Sequence, residues 1–428
     1  MSTLKAVRGT RDLLPPETAL WNRIEATARS VFARYNFGEI RTPIFEDTSL
    51  FSRGVGEETD IVSKEMYTWE DRARAQSEKT QTLTLRPENT AGVVRAYIEH
   101  QMGESGQLQK LYYIGPQFRR ERPQKGRYRQ FSQIGAEVIG PPSAGSESPL
   151  RDAEVLEMLA TLLDELGITG WTLHLNSVGS CADRERYNQA LREALVPLAP
   201  QMCADCQRRA ETNPLRVLDC KVPADQPIID TLPVIADSLD EASKAHFAAV
   251  KAALDAAGVP YTLNPRLVRG LDYYTRTTFE FTHGGLGAQN ALLGGGRYDG
   301  LSEMIGGPKA PGIGFAMGED RLVLTLLAQE TAAAQVLADA YIAPLGESVN
   351  AAALALAREL RHQGLRVELG DGTFRLKKSF EAGNKTARKI VIMGEDELQS
   401  GILTVKDFST GEQTKVPRAE LKGFLAQL

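Results

Sequence analysis

The stretch FRRERPQKGRYRQFSQIGAE, residues 118–137, carries six Lys or Arg residues in twenty. Arg119, Arg120, Arg122, Lys125, Arg127 and Arg129 are opposed only by Glu121 and Glu137, in a 428-residue chain of formal net charge −5. Positive charge this local argues against non-specific coating of nucleic acid and for a defined anion contact. Pro123 and Gly126 mark a turn between two strand-like pieces. The segment therefore reads as a hairpin whose tip grips phosphates, because guanidinium forks bind phosphate oxygens bidentately. Phe131 can stack on a base. On this stretch alone, a solvated charged hairpin is the competing reading.

Working outward, residues 18–36 space their apolar side chains by three and four, which predicts an amphipathic helix. FGEIRTPIFEDTSLF follows, with Pro43 confining it to a sheet edge or strand end. QTLTLRPE, QKLYYIGPQFRRE and WTLHLNSVG read as strands. RDAEVLEMLATLLDELG reads as a helix stopped by Gly167. Two helical patterns with Pro-rich connectors fill 180–258, suggesting a helical insertion. Strand-like sequence resumes at VPYTLNPRLVRGLDYYTRTTFEFT, then glycines cluster in GGLGAQNALLGGGRYDGL and GGPKAPGIGFAMGEDRL. Beyond the stretch AQETAAAQV, strands and helices alternate, which predicts a small α/β domain with a partly parallel sheet. The expected domains are 1–178 and 259–328 (catalytic), 179–258 (helical insertion) and 337–428 (C-terminal).

Apolar residues make up 42% of the chain and charged residues 25%, as in a soluble globular protein. The first residues have no apolar run of signal-peptide length, and Leu322–Leu345 is broken by Gln329, Glu330, Gln335 and Asp339. A cytoplasmic protein with no membrane and no DNA partner is expected. Its four cysteines are Cys181, Cys203, Cys206 and Cys220. The C-x2-C pair followed by Cys220 invites a zinc reading, but a structural site has four ligands. Cys181 lies well upstream and no second pair follows, so reduced structural cysteines and no metal site are expected.

FRRE with its basic loop resembles motif 2 of the class II aminoacyl-tRNA synthetases; GFAMGEDRL resembles motif 3, and FGEIRTPIFED resembles motif 1. RGLDYY and GGGRYDGL resemble the two signature sequences of the histidyl-tRNA synthetase family, bacterial type. TLRPENT, RPQKGRYRQF, TNPLRVLDCK and VRGTRDLLP agree, so the resemblance spans the chain. It implies an α/β (α+β) fold: an antiparallel-sheet catalytic domain with a helical insertion, plus a C-terminal α/β anticodon-binding domain. It also implies activation of L-histidine with ATP and Mg2+, transfer to tRNA(His), and a homodimer.

The resemblance further implies roles. Arg119 would hold the α-phosphate and the amino-acid carboxylate. Arg321 would hold the γ-phosphate end and stack on adenine opposite Phe131, with Glu121 placing the adenine side. Arg269 would be the catalytic cation on the α-phosphate. Glu137 would accept the imidazole N–H and Tyr274 would donate to the other ring nitrogen. Glu88, Thr90 and Gln133 would hold the α-amino and carboxylate groups, and Tyr273 and the GGGRYDG glycines would line the same pocket, letting ligand approach the backbone. Gln124 and Arg127 would meet the tRNA acceptor end. Arg375, Lys377, Lys378, Lys385, Arg388 and Lys389 form a candidate phosphate-binding face in the C-terminal domain.

Two positions depart from the family pattern. Asn89 replaces a glycine, which suits a left-handed backbone if one is needed there. Asp320 stands where the pattern has Glu. A catalytically inactive relative, the regulatory subunit of ATP phosphoribosyltransferase, is the rival reading. It lacks the anticodon domain and degrades the signatures, both of which this chain keeps.

Overall fold

The computed structural model describes residues 3–56, 59–71, 80–124, 126–287, 290–329 and 337–426. Lys125 and residues 330–336 of the connector lie outside them. The chain divides into two compact units, Met1–Ala332 and Ala333–Leu428.

An eight-stranded sheet organises the first unit. Its spatial order is Gly38–Glu39, Gln109–Phe118, Gln130–Ile139, Gly312–Gly318, Ala291–Arg297, Thr275–His283, Trp171–Ser177 and Thr262–Leu263. The inner neighbours are antiparallel, and the two-residue edge strands run parallel to theirs. Side chains alternate between faces. Ile134, Ala136, Val138, Ile313, Phe315 and Met317 point into the main apolar core. Helices Glu17–Arg34 and Pro149–Glu165 contribute to the same core, the first through Leu20, Ile24, Val31 and Phe32. Ser148 caps the second helix by accepting the Leu150 N–H, and Gly167 (φ 76°) follows its end. The other face of the sheet carries Phe131, Gln133 and Glu137; Gly318 and Gly115 flank Gln133, Gly314 and Leu111 flank Glu137, and Gln117 opposes Phe131.

Several sequence readings shift. RGLDYY, read within a strand-like run, is loop, and the strand begins only at Thr275. FGEIRTPIFED splits into Gly38–Glu39 and Phe45–Asp47, and Thr48–Val55 is a helix capped by Asp47. Phe45–Asp47 joins Gln81–Leu85 and Tyr67–Asp71 in a separate three-stranded sheet. Cys181–Leu195 and Ala204–Thr212 build an insertion with its own core, including Tyr187, Leu191, Cys206, Val217 and Cys220. Helix Glu241–Ala257, which the sequence pattern grouped with that insertion, buries Val250 and Leu254 in the main core instead. Asn89 has φ −120°, so nothing there demands a left-handed residue; its Oδ1 accepts the Thr42 hydroxyl (2.6 Å) and Arg86 (3.3 Å).

The second unit has a five-stranded sheet ordered Val367–Leu369, Ala338–Pro344, Ala387–Met393, Ile402–Asp407 and Gln413–Pro417. The first three strands are parallel, as the strand–helix alternation predicts, and two antiparallel strands extend the sheet. Lys389 does not belong to a basic face. It is buried in a strand with its ammonium 3.7 Å from Asp407. Arg375, Lys377, Lys378 and Lys385 are exposed and Arg388 half-buried.

Candidate active site

The polar face of the large sheet opens into a cavity. Arg119, Glu121, Arg127, Phe131, Gln133, Arg269 and Arg321 line it, so seven of the sequence-selected residues converge on one space. The strand alternation places Phe131 and Gln133 there, and strand Gly312–Gly318 delivers Arg321 in the first turn of helix Glu319–Ala328. Arg119 donates through Nε to the Pro87 carbonyl (2.9 Å), and its guanidinium lies 5.2 Å from the Phe131 ring centroid. Glu121 pairs with Arg127 at 3.0 Å. Arg269 pairs with Glu280 at 2.7 Å. Gln124 is exposed at the hairpin turn, bridged to Arg127, and does not line the cavity.

Of the GGGRYDG glycines, Gly294 lines the cavity as expected. A Cβ on Gly294 would fall 2.5–2.6 Å from all three outer atoms of the Arg269 guanidinium. One on Gly296 would meet the Thr277 carbonyl oxygen at 2.6 Å and Tyr274 at 2.8 Å, and one on Gly295 would meet the Gly314 carbonyl oxygen at 2.1 Å and Phe279 at 2.8 Å. The missing side chains also make room for the protein's own Arg269 and Tyr274.

Glu88, Thr90, Glu137, Tyr273 and Tyr274 form a second, nearly closed cluster that does not line the open cavity. Glu137 is wholly buried; Oε1 accepts the Thr90 hydroxyl and Oε2 the Tyr298 hydroxyl, each at 2.7 Å. Burial lifts its carboxyl to about 8 despite those hydrogen bonds. Both oxygens of Glu88 accept backbone N–H groups, from Thr90 (2.7 Å) and Ala91 (3.0 Å), at the start of helix Thr90–Glu99. The Tyr273 and Tyr274 rings stand 4.7 Å apart.

Electrostatics prepare the cavity for an anion. Burial and the nearby Arg127 press Arg321 below its usual pKa. Burial also works against the charge of Arg269, but Glu280 and Tyr274 more than offset it. Among the described residues, Gln133 Oε1 and Arg269 Nε are buried without a hydrogen-bond partner. The Arg269 N–H calls for an acceptor and the Gln133 oxygen for a donor, so the cavity fits a ligand that carries both an anionic and a donor group.

The model of the family "Histidyl-tRNA synthetase" matches residues 9–322, and "Anticodon binding domain" matches 339–428. The chain is 74% identical over 423 residues to a histidine–tRNA ligase of Koribacter versatilis, covering 99% of this chain and 96% of that one. The chain belongs to the histidyl-tRNA synthetase family. Its activity is accordingly that of a histidine–tRNA ligase, on the class II synthetase fold with a separate anticodon-binding domain. A histidine–tRNA ligase of Solibacter usitatus is 57% identical over 420 residues, covering 98% of each chain. The crystal structure of apo Staphylococcus aureus histidyl-tRNA synthetase superposes with a TM-score of 0.80 at 38% identity, covering 99% of this chain and 100% of that one.

Three site residues escaped the sequence reading. Glu280 stands between Phe279 and Phe281, both in the core, and therefore faces the cavity side opposite them. That lone carboxylate between two buried aromatics was the available signal. Arg11 reaches Asp320 (2.9 Å) and Glu17 (2.8 Å) and lies 4.9 Å from the Tyr128 ring. Asp219, within NPLRVLDCK, lines an opening that shares Arg127 and Arg321 with the first cavity; burial raises its carboxyl, against Arg216 and Arg269.

Proposed function

We propose that the arginine-lined cavity binds ATP and that the Glu137 cluster recognises the histidine side chain. The convergence of Arg119, Arg269 and Arg321 around Phe131 and Gln133 carries the reading. In the first step a histidine carboxylate oxygen attacks the α-phosphorus; the bond to the bridging oxygen breaks and pyrophosphate leaves. Charge builds on the non-bridging oxygens, where Arg119 and Arg269 stabilise it. Arg321 holds the γ-phosphate end and Phe131 the adenine, with Glu121 beside it. Gln133 turns its unpartnered oxygen to the α-amino group, and Glu88 and Thr90 complete that end. In the second step a terminal ribose hydroxyl of the tRNA attacks the acyl carbon and AMP leaves.

Glu137 accepts from the imidazole and Tyr274 donates to its other nitrogen, a pair that rejects side chains unable to satisfy both. Tyr273 packs against this pair. Magnesium takes oxygen ligands, most of them from phosphates and water. Glu121 and Asp320 are the carboxylates that line the cavity and would hold it, and the ion would neutralise phosphate charge. Gln124 and Arg127, at and beside the exposed turn, meet the acceptor end of tRNA(His). The exposed Arg375, Lys377, Lys378 and Lys385 meet phosphates of the anticodon arm.

Exposed Ile44, Phe45 and Trp69 around the three-stranded sheet support a homodimer through that edge. Among the described residues no helix is long and apolar enough to cross a membrane, which accords with a cytoplasmic location. Histidine-dependent ATP–pyrophosphate exchange, followed by charging of tRNA(His), tests the assignment. Exchange that persists in Arg269→Ala with only histidine KM raised would reject the role given to Arg269. A monomer by light scattering at micromolar concentration would reject the dimer. The inactive regulatory-subunit reading is the less supported one, because all three arginines and the anticodon-binding domain are retained.

A further inference from the structure

We propose that Cys203, Cys206, Cys220 and Asp225 form a structural zinc site in the helical insertion. The sequence left the three cysteines one ligand short, and the fold supplies it. One ligand atom from each of the four residues lies within 4.8 Å of all the others. Cys203 Sγ and Cys220 Sγ are 3.9 Å apart, and Cys220 Sγ is 3.2 Å from Asp225 Oδ2. Zinc bonds of about 2.3 Å to sulfur and about 2.0 Å to oxygen, set tetrahedrally, space two sulfurs about 3.8 Å apart and sulfur from oxygen about 3.5 Å. The Cys203–Cys220 and Cys220–Asp225 separations are close to these values and all the donors lie within 4.8 Å, so rotamer shifts would close a tetrahedron around an ion. Three thiolates with one carboxylate suit zinc rather than magnesium or calcium, which take oxygen ligands.

The surroundings match a closed structural site. Cys206, Cys220 and Asp225 are buried and Cys203 is half-buried. Cys203 is the N-cap of helix Ala204–Thr212 and Cys206 lies in its first turn, so both sulfurs sit at the positive end of the helix. The Val222 N–H points at Cys220 Sγ (3.4 Å), and the Cys203 N–H donates to both Asp225 oxygens (3.1 and 3.2 Å). These N–H groups orient two of the ligands as an outer shell does. Asp225, at 1% exposure, accepts hydrogen bonds from the Cys203 N–H and the Cys220 thiol, and a cation there would replace the thiol proton as the partner of its charge.

The ion would cross-link the start of helix Ala204–Thr212 to the segment that follows the turn Pro214–Val217. That turn carries Arg216, which donates to the Arg269 carbonyl (3.3 Å) and pairs with Asp219 (3.1 Å). Zinc would thereby hold in place the backbone that presents Arg269.

The test uses the untagged full-length protein, purified reduced and without chelator. Metal analysis should find about one zinc per chain. Cys206→Ser and Cys220→Ser should each lower that content about tenfold or more. Because buried-cysteine variants can fail to fold, Cys203→Ser and Asp225→Asn are also loaded with cobalt. The wild type should show tetrahedral d–d bands and a thiolate-to-cobalt charge-transfer band, which weaken in both variants. Wild-type protein that takes up no zinc when supplied with it overturns the proposal. So does zinc content unchanged in all four variants, or a Cys203–Cys220 disulfide in freshly lysed cells.

Discussion

Gly294→Ala should disable the enzyme without unfolding it. Gly294 lies in an extended strand, so alanine is not strained there. Its new methyl group would stand 2.5 Å from Arg269 Nη2 and 2.6 Å from Cζ and Nη1. Non-bonded heavy atoms rest about 3.5–4.0 Å apart, so the guanidinium must retreat by about 1 Å. Arg269 ends in freely rotating bonds, so that retreat costs the fold little; the ion pair with Glu280 at 2.7 Å is stretched rather than lost. A displacement of about 1 Å in a group that orients or stabilises the reacting phosphate costs about 100-fold in rate, or about 2.7 kcal/mol of barrier. Histidine-dependent ATP–pyrophosphate exchange under saturating substrates measures kcat, and a thermal melt measures the fold. The expected result is kcat about 100-fold lower with the melting temperature nearly unchanged. A kcat within about threefold of wild type would refute the placement of Arg269 at the α-phosphate. A collapsed melting temperature would refute the claim that the glycine serves the arginine rather than the sheet.

Glu137→Gln should raise the histidine KM about tenfold, equivalent to roughly 1.4 kcal/mol for one buried hydrogen bond, while the ATP KM changes little. Equal losses for both ligands in titration calorimetry would make Glu137 a structural residue. Burial holds the Glu319 carboxyl up to about 7 against an ordinary 4.5, so the folded protein keeps a proton that the unfolded chain releases. Stability from this group is complete below pH 4.5 and is lost as pH rises through about 7, a change on the order of 3 kcal/mol. Glu319→Gln should flatten that part of the stability–pH curve, and denaturation midpoints unchanged in their pH dependence would contradict it. Arg297 is wholly buried and pairs with Asp152 (2.8 Å) and Asp299 (2.6 Å). Arg297→Met leaves Asp152 short of its cation and should cost about 3–5 kcal/mol in urea unfolding; a loss under about 1 kcal/mol would mean that the other partners of Asp152, His246 Nε2 at 2.8 Å and the Thr277 hydroxyl at 2.6 Å, suffice.

What the sequence determined by itself was local in origin. The spacing of Leu20, Ile24, Val31 and Phe32, the Ser148 cap and the alternation of Phe131, Gln133 and Glu137 with core residues each follow from helix or strand periodicity. Motifs of contiguous residues gave the family and most of the cavity wall, because neighbours in a strand or turn stay neighbours in space. Sequence order could not reveal the partners that close the site. Arg11 meets Asp320 across 309 positions, and Glu280 meets Arg269 only because two residues of a loop and a strand fold onto the same sheet face. Gly294 serves the loop residue Arg269 from a strand, Lys389 leaves the basic surface because its strand is buried, and Asp225 reaches three cysteines from a later turn. Each depends on which strands pair and which helices pack, a long-range choice set by burial of the whole apolar core rather than by any short stretch of chain.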